Sequence, residues 1–90
     1  IVRHWMRSGV TVVAPAATVI DAEVTIDPDV VIEAGCVLQG RTTVGSGAVI
    51  GPNTHLVDAS IGGGARVPNS VVDDAVVEDG QVVAPFTHLV

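Results

Sequence analysis

Three histidines, one cysteine, two acidic pairs and a glycine triplet are the side chains and turns of this sequence from which a reaction could be assembled. His55 and His88 each precede an apolar residue, Leu56 and Leu89, that belongs to a regular repeat described below, and His4 stands apart near the beginning. The repeat places His55 and His88 on one face two coils apart, about 10 Å at the usual strand spacing, too far to share a zinc ion within one chain. They read as surface or subunit-contact histidines. Gly62-Gly63-Gly64 lacks the Lys-Ser or Lys-Thr and the following helix that a phosphate cradle needs, and reads as a bend. The pairs Asp73-Asp74 and Glu78-Asp79 flank consecutive apolar anchors on the outside, where they stay solvated instead of forming an acid–base couple. Cys36 falls on an inward position with no base fixed beside it, which suits a packed small hydrophobe. No catalytic, cofactor-binding or metal-binding residue is therefore assigned in this segment.

The elements that would position these groups follow from one period. Ile20, Ile26, Ile32, Leu38, Val44, Ile50 and Leu56 recur every six residues; the series resumes at Ile61 and Val67, shortens to five through Val72 and Val77, and returns to six at Val83 and Leu89. Four residues after these anchors stands a second small or branched residue, as at Val24, Val30, Cys36, Thr42, Ala48, Thr54, Ala65 and Thr87. An α-helix would place apolar residues at spacings of three, four and seven, and a two-sided strand would alternate them. Six residues instead make one short strand and one bend, and three such units return the chain to its start about 4.8 Å higher. The anchors then sort onto three corners: Ile20, Leu38, Leu56, Val72 and Leu89; Ile26, Val44, Ile61 and Val77; and Ile32, Ile50, Val67 and Val83. The reading is an all-β parallel β-helix of hexapeptide repeats with about four coils.

Composition agrees. The chain is 48% hydrophobic with one Trp, one Phe and no Tyr, so branched aliphatics must fill a narrow, regular core. Pro15, Pro28, Pro52 and Pro85 each fall two residues after an anchor, Val13 being read as the first anchor of its column; proline cannot donate to a ladder and belongs in bends. Residues 1–9 lack the hexad and end in Gly9, which predicts the end of a helix leading into a β-helix over 10–90. Leu89 is the last anchor and the strand edge beyond it is uncovered, so the sequence reads as part of a longer chain cut at its C-terminal end.

The net charge is −6, and residues 8–90 hold two arginines, Arg41 and Arg66, against all ten carboxylates. That balance excludes a nucleic-acid surface. No apolar run approaches the length of a membrane span. A single cysteine suits the reducing cytoplasm. A narrow tube with little core predicts association of several copies, read here as a homotrimer through β-helix faces.

The run Arg3-His4-Trp5-Met6-Arg7-Ser8-Gly9-Val10-Thr11-Val12-Val13-Ala14-Pro15 resembles the junction of linker helix and β-helix in the bifunctional N-acetylglucosamine-1-phosphate uridylyltransferase/glucosamine-1-phosphate N-acetyltransferase family. Leu38-Gln39-Gly40-Arg41-Thr42-Thr43-Val44-Gly45 and Val82-Val83-Ala84-Pro85-Phe86-Thr87-His88-Leu89 are similar to its early coils and its Pro-Phe segment. The resemblance covers essentially the whole chain. It implies left-handed winding, which the period does not decide. It also implies a uridylyltransferase site before this region and an acetyltransferase site built between subunits mostly from coils after it. The family's first sugar-phosphate-binding Arg follows the Leu of the Pro-Phe segment; Val90 stands there, so no family catalytic residue carries over. Acetyl-coenzyme A and Mg are then expected for a full-length member and not in this segment. The alternatives are a purely structural or oligomerisation module, and a stand-alone hexapeptide enzyme of the carbonic-anhydrase type. Ice binding fits poorly, since Thr42, Thr54 and Thr87 occupy inward positions.

Overall fold

In the repeats from Val10 to Val72 a buried residue, an outward residue and a buried anchor follow one another, as in Val24-Thr25-Ile26, and this in–out–in run is a strand whose inner side faces the core. The computed structural model describes residues 2–90, and the side chains of residues 4–90. Its strands form three parallel sheets, one on each side of a prism. Face 1 stacks β1 (Thr11–Val12), β4 (Val31–Ile32), β7 (Val49–Ile50) and β10 (Arg66–Val67). Face 2 stacks β2 (Val19–Ile20), β5 (Val37–Gln39), β8 (His55–Val57), β11 (Val71–Asp73) and β13 (His88–Leu89). Face 3 stacks β3 (Thr25–Ile26), β6 (Thr43–Val44), β9 (Ser60–Ile61) and β12 (Val76–Val77). The expected coil count is met by two faces of four rungs and exceeded by the five of face 2. A bridge between Arg66 and Val82 continues face 1 toward Val83.

The three anchor columns are those the period assigns. Ile20, Leu38, Leu56, Val72 and Leu89 lie in register on face 2; Ile26, Val44, Ile61 and Val77 on face 3; Ile32, Ile50 and Val67 on face 1. Two details differ from expectation. The anchors line the insides of the flat faces, not the corners, because the corners are where the backbone bends. The first anchor of face 1 is Val12, paired with Ile32, whereas Val13 is 57% exposed. Pro15 therefore stands three residues after its anchor. Eight residues separate Val12 from Ile20, and the 3-10 turn Pro15–Ala17 absorbs the surplus.

The shortened repeats lose a bend residue and no strand residue. In most six-residue units the third residue after the anchor has a positive φ: Asp29, Gly35, Gly47, Asn53, Gly64, Gly80 and Phe86. In the five-residue units the second residue takes that role, at Asp58 (φ 48°), Asn69 (φ 45°) and Asp74 (φ 51°). Asn and Asp tolerate this region better than other side-chain-bearing residues, so the tighter corner is encoded in residue type. Pairing stays in register across the change, with Leu56 opposite Val72 and Ile61 opposite Val77.

A helix, α1 (Val2–Arg7), precedes the first coil and ends at Gly9, whose φ is 92°. Trp5 is half-buried and packs against the core, and its carbonyl accepts the Val10 N–H at 3.0 Å. Its Nε1 is the buried polar atom without a partner among the described residues. Trp5 thus acts as an apolar lid on the first rung.

Leu38 is fully buried at the middle of its column, whereas Val76 is 64% exposed. Leu38→Ala is expected to lower unfolding stability by about 2–5 kcal/mol and Val76→Ala by less than about 0.5 kcal/mol, measured by urea titration. Trp5→Phe should cost less than Trp5→Ala, since the indole N–H contributes no bond.

Candidate functional site

Sequence singles out residues that the fold then distributes over separate sides of the prism. His55 and His88 share face 2, with Val71 of β11 paired to both, so one rung lies between them as the repeat requires. His55 is held at 2.6 Å from Gln39 Oε1 of the rung below. Asp73 ends β11 on the outer side of face 2, while its neighbour Asp74 is the left-handed residue of the next bend. The apparent acidic pair is thereby divided. Asp79 Oδ1 accepts the Gly63 N–H at 3.0 Å, and the Glu78 N–H donates to Gln81 Oε1 at 2.9 Å. The first bond ties neighbouring coils together and the second closes a single bend.

The glycine triplet is a corner, and it is glycine for two reasons. Gly64 has a φ of 71°, whereas a side chain on Gly62 would fall on the backbone of Asp79 in the next coil. Gly45 is confined in the same manner by Gly63. At this corner successive coils approach too closely for a Cβ.

The inward threonines act as polar staples between coils. Thr42 Oγ1 donates to the Gln39 carbonyl at 2.8 Å and accepts the Ala59 N–H, and Thr54 Oγ1 donates to the Val67 carbonyl at 2.7 Å. Ser70 does the same, donating to the Pro68 carbonyl and accepting the Thr87 N–H at 3.3 Å. A strict spacing of four from the anchor passes over Ser70; three residues, the spacing of the shortened unit, finds it. Thr87 is only half-buried, at the last rung.

Cys36 lies fully buried in the core, with Sγ 3.5 Å from the Ile50 carbonyl. Burial pushes the thiol pKa up, and the nearby Glu33 carboxylate adds to this, against an opposing backbone hydrogen bond from Thr54. The thiol is a packing group.

Two open hollows mark the outer surface. One, of about 450 Å³, runs over face 3 between Thr25, Thr43, Ser46, Ser60, Asp27 and Asp79. The other, of about 270 Å³, lies on face 1 between Glu33, Val49, Pro52, Arg66, Pro68 and Val82. The first offers hydroxyls and carboxylates without a cation or imidazole, and the second a single arginine. Neither joins a nucleophile to a base. Among the described residues no three His, Cys, Asp or Glu side chains come together as a metal site would require. A nucleotide-bearing cofactor such as acetyl-coenzyme A calls for several cations around its phosphates. The residues present fit neither Mg nor that cofactor, and no step is assigned through either.

Residues 23–58 match the family described as bacterial transferase hexapeptide (six repeats). Over 88 residues the chain is 49% identical to the bifunctional protein GlmU of Rhodococcus opacus, covering 98% of this chain and 18% of that protein. It is 47% identical over 87 residues to the GlmU of Kineococcus radiotolerans (97% and 18%) and 44% identical to that of Thermoanaerobacter pseudethanolicus (97% and 19%). This chain is a hexapeptide-repeat β-helix matching a segment of GlmU. It spans about a fifth of the length of the curated relatives it matches. No helix among the described residues is long and apolar enough to cross a membrane.

Iodoacetamide is expected to label Cys36 very slowly in the folded protein at pH 8 and quickly in denaturant, by mass spectrometry. The unfolded thiol begins to ionise near its ordinary value of 9.0 while the folded one holds its proton. The folded state then binds more protons, so the thiol lowers stability as pH rises through that range. Cys36→Ala should remove this contribution.

Proposed function

We propose that this chain is the scaffold at the start of the acetyltransferase β-helix of a GlmU-like enzyme. In this role it supports trimerisation and carries no acetyl transfer by itself. The observation that carries the reading is the alignment of 97–98% of the chain, at 44–49% identity, with less than a fifth or so of each bifunctional relative. The hexad and the helix-to-β-helix junction Arg3–Pro15 point to the same segment. In this reading glucosamine-1-phosphate and acetyl-coenzyme A are bound by further coils and adjoining subunits of the longer protein. Uridylyl transfer, with its Mg, belongs to a separate domain. The setting is the cytoplasm, where a free, buried Cys36 is kept reduced.

The rigid ladder supports such a role mechanically. Parallel β-structure with every rung in register fixes the height and azimuth of whatever coil is stacked upon it, and site precision between subunits depends on that geometry. An acetyl-transfer assay with glucosamine-1-phosphate and acetyl-coenzyme A tests the proposal directly. The expected outcome is no turnover by this chain and turnover by a longer chain that adds the coils following Leu89. Turnover by the ninety-residue chain itself would overturn the scaffold reading.

A further inference from the structure

The three ridges of the prism are chemically unequal. The ridge between faces 2 and 3 holds Asp21, Glu23, Asp58 and Asp74, and the ridge between faces 3 and 1 holds Asp27, Asp29, Glu78 and Asp79. The ridge between faces 1 and 2 is built from Ala14-Pro15, Ala34, Pro52-Asn53, Pro68-Asn69 and Pro85, with Glu33 as its one carboxylate. The faces differ as well. Faces 1 and 2 turn mainly valines outward, whereas face 3 turns out a hydroxyl column of Thr25, Thr43 and Ser60. The 450 Å³ hollow lies over this column. It opens there because the ridge beside it is low: Gly45 and Gly62-Gly63 stand between Asp27 and Asp79, and a side chain at Gly45 or Gly62 would strike the backbone of the next coil. The result is a trough along the tube, with a carboxylate toward each end and hydroxyls along its floor.

We infer that this trough binds a linear polyammonium ligand, a chain of amines joined by short methylene bridges, with end ammonium groups on Asp27 and Asp79 and the chain between them over the hydroxyls. Asp27 belongs to the coil of β3 and Asp79 to that of β12, three rungs apart, or about 14 Å at the usual strand spacing. That is too far for one metal ion to bridge, and it suits the extended length of a polyamine with three or four nitrogens. Neither carboxylate has an ion-pair partner among the described residues, where the one salt bridge is Arg41–Glu23. Asp79 Oδ1 accepts the Gly63 N–H at 3.0 Å, which holds the side chain over the glycine corner and leaves its second oxygen for a ligand. Thr25, Thr43 and Ser60 stand in register, one to a rung, and Thr43 Oγ1 donates to Ser60 Oγ at 3.5 Å. A hydroxyl oxygen carries two lone pairs, so the column also accepts from ammonium groups between the ends.

Charge decides the class of ligand. The lining holds no Lys, Arg or His, so an anion finds no counter-charge there, and Asp29 and Glu78 on the same ridge repel it further. Arg41, on the flanking ridge, is engaged by Glu23 at 3.3 Å. A neutral sugar would lack an aromatic surface to stack upon, since Trp5 and Phe86 line no part of the trough. A chain of amines matches both the end charges and the hydroxyls between them, and its methylenes lie against bare glycine backbone. One exposed ammonium–carboxylate contact is weak. Joining two of them in one ligand makes the second contact intramolecular, so the spacing of the carboxylates selects for length. The inference does not depend on the scaffold role proposed above.

Titration of the isotope-labelled protein with spermine at low, constant ionic strength, followed by NMR, tests this. Amide shifts are expected to concentrate on residues 25–27, 43–46, 60–63 and 79, and magnesium at equal charge should not reproduce that pattern. Asp27→Asn and Asp79→Asn should each weaken spermine binding about threefold, and together about tenfold; asparagine at 79 keeps an acceptor for the Gly63 N–H. Thr43→Val, a substitution of similar shape on an exposed strand position, should weaken it about twofold. The double variant Asp21→Asn/Asp74→Asn makes the same change in net charge on the ridge between faces 2 and 3, and should bind spermine as the wild type does. Shifts spread over both acidic ridges, an equal loss in the two double variants, or the same pattern with magnesium would overturn the site and leave only a general attraction of cations to an acidic surface. No shift with spermine would overturn it outright.

Discussion

Every feature of this molecule depends on one steric condition: the interior of the prism is too narrow for anything larger than a branched aliphatic, and successive coils lie a single strand spacing apart. Leu38, Ile50 and Leu56 fill the tube and are fully buried, while the one Phe of the chain is 86% exposed. Because parallel strands pair only with the coil above and below, a side chain that failed to fit would push apart a whole rung and not just its neighbours. The same closeness dictates the corners, where Gly45 and Gly62 leave room for the backbone of the next coil.

The bends carry the second half of the design. A three-sided coil must turn sharply three times, and every turn from Asp29 onward uses a left-handed residue. Glycine or an Asn/Asp side chain supplies it almost everywhere, and moving that residue one place nearer the anchor shortens the unit from six to five without disturbing register. Phe86 is the exception, a bulky residue at φ 63° near the last rung. The inward hydroxyls of Thr42, Thr54 and Ser70 then satisfy backbone groups of adjoining coils that an all-aliphatic interior would leave bare.

A framework so regular has little freedom for chemistry along its length. Functional groups that a sequence sets side by side, such as Asp73 and Asp74, diverge when one is a strand residue and the other a corner. Groups distant in sequence, such as His55 and His88, align on one face but stay two spacings apart. In the GlmU relatives the matching framework makes up about a fifth of a longer protein. What this segment contributes is a straight, stiff axis with three surfaces of different character.

The hexad by itself determined the parallel β-helix, the membership of the three columns and the inward placement of Cys36, Thr42 and Thr54, because burial repeats whenever the backbone completes one strand and one bend. It misplaced the first anchor at Val13, since a period read from the middle of the chain says nothing of the 3-10 turn that lengthens the first unit. It also skipped Ser70, because a five-residue unit shifts the inner position along with the bend. Only the folded prism decided which charges share a ridge. Carboxylates that the sequence groups over 21–33 and 73–79 fall mostly on two ridges because ridge identity depends on the repeat number modulo three, which is a property of closure and not of any local spacing.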